Sequence, residues 1–430
     1  MKTKSEQTIW DVIVVGGGPA GMMAAGRAGT LGNKVLLLEK NDHLGKKLRI
    51  TGGGRCNLTN GELDLRTFLS HFKEDDKFLF SAFSQYGVKE TLEFFHSHNM
   101  KTKMEDRKRI FPESNSSESV REVCLQYLKE GNVTVKLSST VKKIHTNKHT
   151  VTSVELIDGT CLSTKTLIIA TGGTSHPETG STGDGFLWLK DLGHKIQTPT
   201  DSLVPIVIRE PWVKRLQGIT LPNAKVTVFQ NGKKQNIIKK ETEALKKNGR
   251  VLFTHFGITG PLILNISSQI EKLLQNADVT IHLDMVPDLG HDVLNKTLQD
   301  ILTKENSKKI KNSLSAFGVV GIILEVLALA QVDPNTINHH LTREMRLRIV
   351  DTLKAFPLTV KGLLGSDKAI VTNGGVSLKE VDMKTMRSKL FANVFLVGDI
   401  LHIDRPSGGF SLQLCWTTGF VAGTNAGEKK

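Results

Sequence analysis

The stretch that most constrains the fold is IWDVIVVGGGPAGMMAAGRAGTLGNKVLLLEK, Ile9 to Lys40. Its apolar run, Ile9 to Val15, is unbroken, as in a strand buried on both faces. The run empties into Gly16-x-Gly18-x-x-Gly21, an alanine-rich helix follows to about Leu31, and a second apolar strand, Val35 to Leu38, ends at Glu39. Strand, helix and strand in this order make a βαβ unit. In such a unit Gly16 permits the tight turn, Gly18 lets the backbone approach a pyrophosphate, and Gly21 lets the helix pack closely on the strand. Pro19 and Ala20 open the helix, whose free N–H groups and dipole attract phosphate. Glu39, with Lys40 beside it, stands where a carboxylate accepts the hydroxyls of an adenosine ribose. A dinucleotide site is expected.

Two further strands run into glycines far downstream. TKTLIIATGGTSHPETGSTGDGF places a strand, Thr166 to Ala170, before Thr171, Gly172 and Gly173. NVFLVGDILHIDRPSGGFSLQLCWTTGF places another, Val394 to Val397, before Gly398 and Asp399. A Gly408-Gly409 pair then opens a last helix at Phe410, Ser411 and Leu412. A plain nicotinamide dehydrogenase has no reason to bring so distant a strand back to the first fold, whereas FAD does. The ribityl chain needs an acceptor such as Asp399. The negative charge that develops around N1 and C2=O of the ring on reduction is stabilised by a helix N-terminus.

Between these junctions lies KLRITGGGRCNLTN, Lys47 to Asn60. Three glycines in a row suggest a backbone passing close to a ligand, with Gly53 and Gly54 at the approach and Arg55 and Asn57 as donors. Cys56 has no cysteine or histidine at ligand spacing, which argues against a metal. It reads as a small residue packed beside the flavin, with a redox or nucleophilic role as the alternative.

Four segments carry a resemblance that covers essentially the whole chain: LGKKLRITGGGRCNLTN, ATGGTSHPETGSTGDG, LFTHFGITGP and GGVSLKEVDMKTMRSK. They resemble motifs of the YhiN/BaiN family of NAD(P)/FAD-dependent oxidoreductases, the aminoacetone oxidase-like flavoproteins. The resemblance implies an α/β fold: a glutathione-reductase-type Rossmann FAD-binding domain interrupted by an inserted β-rich domain and a helical subdomain. It implies tightly but noncovalently bound FAD, with Lys47 in the first motif among its contacts and the backbone of Val141 reading adenine. It also implies oxidoreductase activity on a small organic substrate, relatives being associated with bile-acid reduction and amine oxidation. NAD(P)H, as a transient reductant, or oxygen is the possible second substrate. Two departures stand out: Asp399 occupies a position where the family usually has glutamate, and Ser411 one where it has asparagine.

The expected organisation is residues 1–195 for the first part of the FAD-binding domain and 196–290 for the β-rich insertion. Residues 291–356 form the helical subdomain, 357–365 a return segment, and 366–430 the second part of the FAD-binding domain. Substrate is expected over the isoalloxazine, in a cleft roofed by the insertion. Hydrophobic content of 39% and charged content of 23% are those of a globular protein. Four scattered cysteines without a CxxC suggest a reducing, cytoplasmic setting. The N-terminal apolar run is too short for a signal or a membrane span, and AFGVVGIILEVLALA reads as a buried helix. A net charge of +14 raises an RNA-modifying enzyme as the alternative, and a non-catalytic flavin-binding protein is the other. The lysines, however, lie in dispersed pairs without interleaved aromatics, as in GKKQNIIKKETEALKKNG, so a solvated surface is the simpler reading. His255 and His402 are the candidates for proton transfer. No metal site is expected.

Overall fold

The structure, a computed structural model, describes residues 8–237, 248–318, 320–365 and 371–428. The central part of the lysine-rich stretch (238–247) and the point near Ser366 where the cofactor fold was expected to resume lie outside the described residues. The chain divides into two compact units. One comprises Met1–Asp201 with Ala369–Lys430, the other Ser202–Lys368.

The first unit is built on a nine-stranded sheet. Its parallel part runs Val394–Leu396, Cys161–Ile169, Trp10–Val15, Val35–Leu38, Thr134–Lys136. Sequence-distant strands thus lie side by side: Val15 pairs with both Leu38 and Ile169, and Ile169 with Leu396. Val12, Ile13, Val14 and the whole of Val35–Leu38 are buried because helices cover the faces, which is why these strands read as continuous apolar runs. The hairpin Val141–Asn147 and Thr150–Leu156 continues antiparallel onto Cys161–Ile169, with a turn at Asp158-Gly159. The fingerprint helix Pro19–Thr30 lies against the last helix, Phe410–Gly427. Gly419 and Gly423 make that approach possible, since a Cβ on either would stand 2.5 Å from a carbonyl oxygen, of Ala20 and Ala24 respectively.

The second unit holds an antiparallel barrel. Thr220–Gln230, Asn248–Phe253, Gly257–Thr259, Ile206–Ile208, Phe356–Leu363 and Val279–Asp284 pair in that order, and Val279–Asp284 pairs back onto Thr220–Gln230 to close the ring. Closure removes free strand edges, and alternate residues such as Val279, Ile281 and Leu283 fill the core. The sequence GRVLFTHFGITGPLIL reads as β throughout, but after Gly260, whose φ is +106°, it turns into the helix Pro261–Leu274. Proline at the first helical position is the signal, because its fixed φ suits a helix start. Helices His291–Lys304, Ile323–Leu329 and Arg343–Lys354 lie in the chain between the barrel strands Val279–Asp284 and Phe356–Leu363. The run Ala316 to Ala330 is not one buried helix: Leu324 is 59% exposed, while buried Glu325 accepts from Arg215 Nε at 2.8 Å. No helix among the described residues is long and apolar enough to cross a membrane.

Candidate cofactor site

Four parallel strands end side by side, and their carboxyl ends open on one cavity of about 1220 Å³ including its mouth. Its wall includes the residues that follow each strand: Gly16 to Ala20, Glu39 to Asn41, Ala170 to Gly172, and Val397 to Asp399. This is the crevice in which ligands of open α/β sheets bind.

The glycine fingerprint shows two distinct jobs. A Cβ on Gly16 would sit 2.5 Å from the Ala170 carbonyl, and one on Gly21 1.9 Å from the Gly16 carbonyl, so both glycines close the packing. A Cβ on Gly18 would meet no atom within 4 Å; hydrogen is there to leave the cavity side open. Gly18 caps the fingerprint helix and Gly409 caps the last helix. Pro19 and Ala20 from the first, and Ser411 and Leu412 from the second, line the wall, so two positive helix ends serve one cavity.

Glu39 is buried at one end. Its Oε2 accepts from Gly17 N–H at 2.7 Å, and its Oε1 accepts from the Asn41 backbone N–H at 2.8 Å and amide Nδ2 at 2.7 Å. A carboxylate offers about four acceptor positions, so Oε2 keeps one for a hydroxyl. Lys40, also in the wall, is held by Asp184 at 2.7 Å and by Thr182; Ser139, Thr140, Val141 and Trp188 complete this end. At the other end stand Lys47, Leu48, Thr51, Asp399, Ser411 and Cys415. Lys47 Nζ donates to Ser175 Oγ at 3.1 Å, and burial holds its pKa below the ordinary lysine value, Asp399 opposing the shift. Asp399 is paired with Arg405, a buried cation whose Nε donates to Ser411 Oγ at 3.0 Å and whose Nη1 donates to the Ile403 carbonyl at 2.8 Å. Thr171 Oγ1, beside the cavity, is buried without a hydrogen-bond partner in the structure.

Other sequence candidates stand outside the wall. The triple glycine is a turn: Gly52, Gly53 and Gly54 all have positive φ, and Gly53 and Gly54 do not line the cavity, although Leu48 and Thr51 just before them do. The glycines are there for the left-handed backbone, not for contact. Arg55 is drawn away to Glu105 at 2.8 Å and lies over Phe111 at 4.1 Å. Asn57, its amide oriented to satisfy its neighbours, accepts from Gly409 N–H at 3.0 Å and so braces the start of the last helix. Cys56 is fully buried and its thiol is pushed up to about 12 by that burial, so at neutral pH it is no nucleophile. Gly173 packs against Thr372, Gly409 against Thr59, and Gly408 near Asn60; Phe410 is fully buried among Phe68, Phe72 and His71. His402 lies in the first unit, also outside the wall, with its Nδ1 buried and unpartnered. His255 lies in the second unit, exposed in the loop between two barrel strands and edge-on to Phe256.

Sequence reasoning missed Arg405, Asn41, Thr51, Ser139, Thr182, Asp184, Trp188 and Cys415. Asp184 had a local signal, in STGDG just before a helix; Arg405 had none, since a cation between Asp399 and Gly408 reads as loop. His145, Glu155 and Cys161 place potential metal-ligand atoms within 4.8 Å of one another, but Lys142 and His145 already occupy the Glu155 carboxylate at 2.8 Å each.

The model of the HI0933-like protein Rossmann domain matches residues 10–425. A 3-dehydro-bile acid delta(4,6)-reductase of Clostridium scindens is 27% identical over 97% of this chain and 98% of its own. A ribosomal RNA dihydrouridine synthase of Escherichia coli is 25% identical over 96% of each. Among solved structures, the 3-ketosteroid-delta4-(5alpha)-dehydrogenase of Rhodococcus jostii superposes with a TM-score of 0.55 at 13% identity, over 99% of both chains. At that identity the likeness concerns the fold.

Proposed function

The chain belongs to the HI0933-like Rossmann family of flavin-dependent oxidoreductases, and on that premise we propose that it is an FAD-dependent reductase of carbon–carbon double bonds conjugated with a carbonyl. One observation carries the cofactor half of this reading: a single cavity runs from Glu39 to Asp399 and receives two helix N-termini. Glu39 and Val141 would hold the adenosine end, and Gly18 with the fingerprint helix the pyrophosphate. Asp399 would accept from a ribityl hydroxyl, and the start of the last helix would face the ring. The open side of Gly18 and the unpartnered hydroxyl of Thr171 fit such an occupant. Bound FAD supplies the hydride chemistry; the protein binds, orients and polarises.

The substrate half rests on what two relatives are named for. A 3-dehydro, delta(4,6) bile acid carries unsaturation conjugated with a ketone. Dihydrouridine is uridine with the double bond next to its C4 carbonyl saturated. Hydride addition to a polarised double bond is common to both. Electrons would come from NAD(P)H visiting the flavin transiently: every strand pairing described in the barrel unit is antiparallel, so that unit supports no second parallel βαβ cradle.

A second reading, that the reduced ring is a uracil within RNA, is favoured by the net charge of +14. The test is anaerobic. NADPH-reduced protein is mixed with a steroid dienone, with cyclohexenone or with unmodified ribosomal RNA, and the oxidised flavin absorbance is followed. Reoxidation by the small ketones supports the first reading and reoxidation by RNA alone the second. No reoxidation by any of the three would sink both.

A further inference from the structure

The two residues at which the chain departs from the pattern of the family it resembles, Asp399 and Ser411, are joined by one side chain. Arg405, 3% exposed, directs Nη2 to Asp399 Oδ1 and Nε to Ser411 Oγ, while its Nη1 is fixed by the Ile403 carbonyl. Asp399 and Ser411 line the cavity and Arg405 stands behind them. The negative member of the pair is therefore the one that faces the cavity.

An unpaired carboxylate there would oppose reduction. A two-electron, one-proton reduction leaves one negative charge on the flavin ring, and a second negative charge beside it, in a wall shielded from water, is costly. A guanidinium behind the carboxylate cancels that field, stays charged at any working pH and is rigid enough to fix two partners at once. The Ser411 oxygen, accepting from Arg405, keeps its own hydrogen free to donate into the cavity. Lys47, also in the wall and close enough to Asp399 to feel its charge, is the other cation at this end.

We propose that Arg405 is a positioning residue that lets an aspartate serve the flavin site: it orients Asp399 and Ser411 and neutralises Asp399 toward the ring, thereby raising the flavin midpoint potential. The proposal rests on the placement of FAD argued above.

A mutant cycle tests it, read as the midpoint potential of bound FAD by equilibration with reference dyes at one pH. Arg405→Gln should lower the potential by a tenfold or greater shift in the two-electron equilibrium, about 30 mV. Adding Asp399→Asn to that variant should restore it to near the wild-type value, because the uncompensated charge is gone. Asp399→Asn alone should raise it. A merely structural arginine predicts no such rescue. If Arg405→Gln does not fold, the double variant, which buries no lone charge, and Asp399→Asn alone still decide: a double variant displaced as far as the single carboxylate variant overturns the proposal. So does a bound flavin whose potential is indifferent to Arg405→Gln. Wild-type protein that binds no FAD would instead overturn the placement on which the proposal rests.

Discussion

A carboxylate and a thiol test the residue-scale account. Glu39 anchors the Gly17 and Asn41 amides with an acceptor position to spare. Glu39→Ala should weaken FAD retention by at least about tenfold, equivalent to about 1.4 kcal/mol, measured by equilibrium dialysis; undiminished retention would reassign the acid. Cys56→Ser should leave flavin binding and reduction by NADPH largely intact, because the thiol is fully buried outside the cavity wall. Of the four cysteines, only Cys161 is exposed, so a chromogenic disulfide reagent should modify one thiol in the native protein and four after denaturation. Two or more reactive native thiols would contradict the burial of Cys56, Cys124 and Cys415. These side chains also show what a sequence conceals. The position of Glu39 in the cavity wall was legible because strand, glycines and acid form one local pattern. Arg55 was misread because its direction depends on Glu105 and Phe111, which reach it only through the three-dimensional fold. Arg405 was invisible for the same reason, its partners lying on either side of a loop with no periodicity.

Elements explain which glycines matter to the cofactor and which to the fold. Gly18→Ala adds a methyl where nothing lies within 4 Å and where φ is −77°, an ordinary value. The protein should fold and melt as the flavin-free wild type does, yet retain FAD at least about tenfold more weakly. Gly21→Ala forces a Cβ to within 1.9 Å of the Gly16 carbonyl and should instead lower the melting temperature of the flavin-free protein. The reverse pattern would mean that the fingerprint has been assigned backwards. A second element-scale device is His194, just beyond the helix Asp184–Asp191. It joins Glu380 and Ser388, each at 3.0 Å, beside the short strands Val381–Asp382 and Arg387–Ser388. Burial lowers its pKa from the ordinary 6.5 although Glu380 opposes the shift. The unfolded chain therefore takes up the proton first, so this stability is present above 6.5 and lost as pH falls toward the lowered folded value. Melting should fall between about pH 7.5 and about pH 5.5, and His194→Gln should flatten that fall; an equally steep acid limb in the variant would remove His194 from the account.

At the scale of the whole molecule, the parallel sheet and its three strand-to-glycine junctions were legible because each strand is buried on both faces and ends in a recognisable turn. The closed barrel was only half legible: alternation marked its strands, but ring closure between Val279–Asp284 and Thr220–Gln230 is a long-range pairing that no local pattern records. The helix after Gly260 was hidden by an apolar run that suits a strand as well as a helix until Pro261 is given its weight. What unites the first unit is a cavity lined from Glu39 to Asp399, in which the proposed function places the adenosine and the ring of FAD. The cofactor itself is the most direct test. Protein purified without added flavin should be yellow, and heat denaturation followed by chromatography should release FAD as the flavin. FMN alone, or a colourless protein that fails to take up FAD on incubation, would contradict the account.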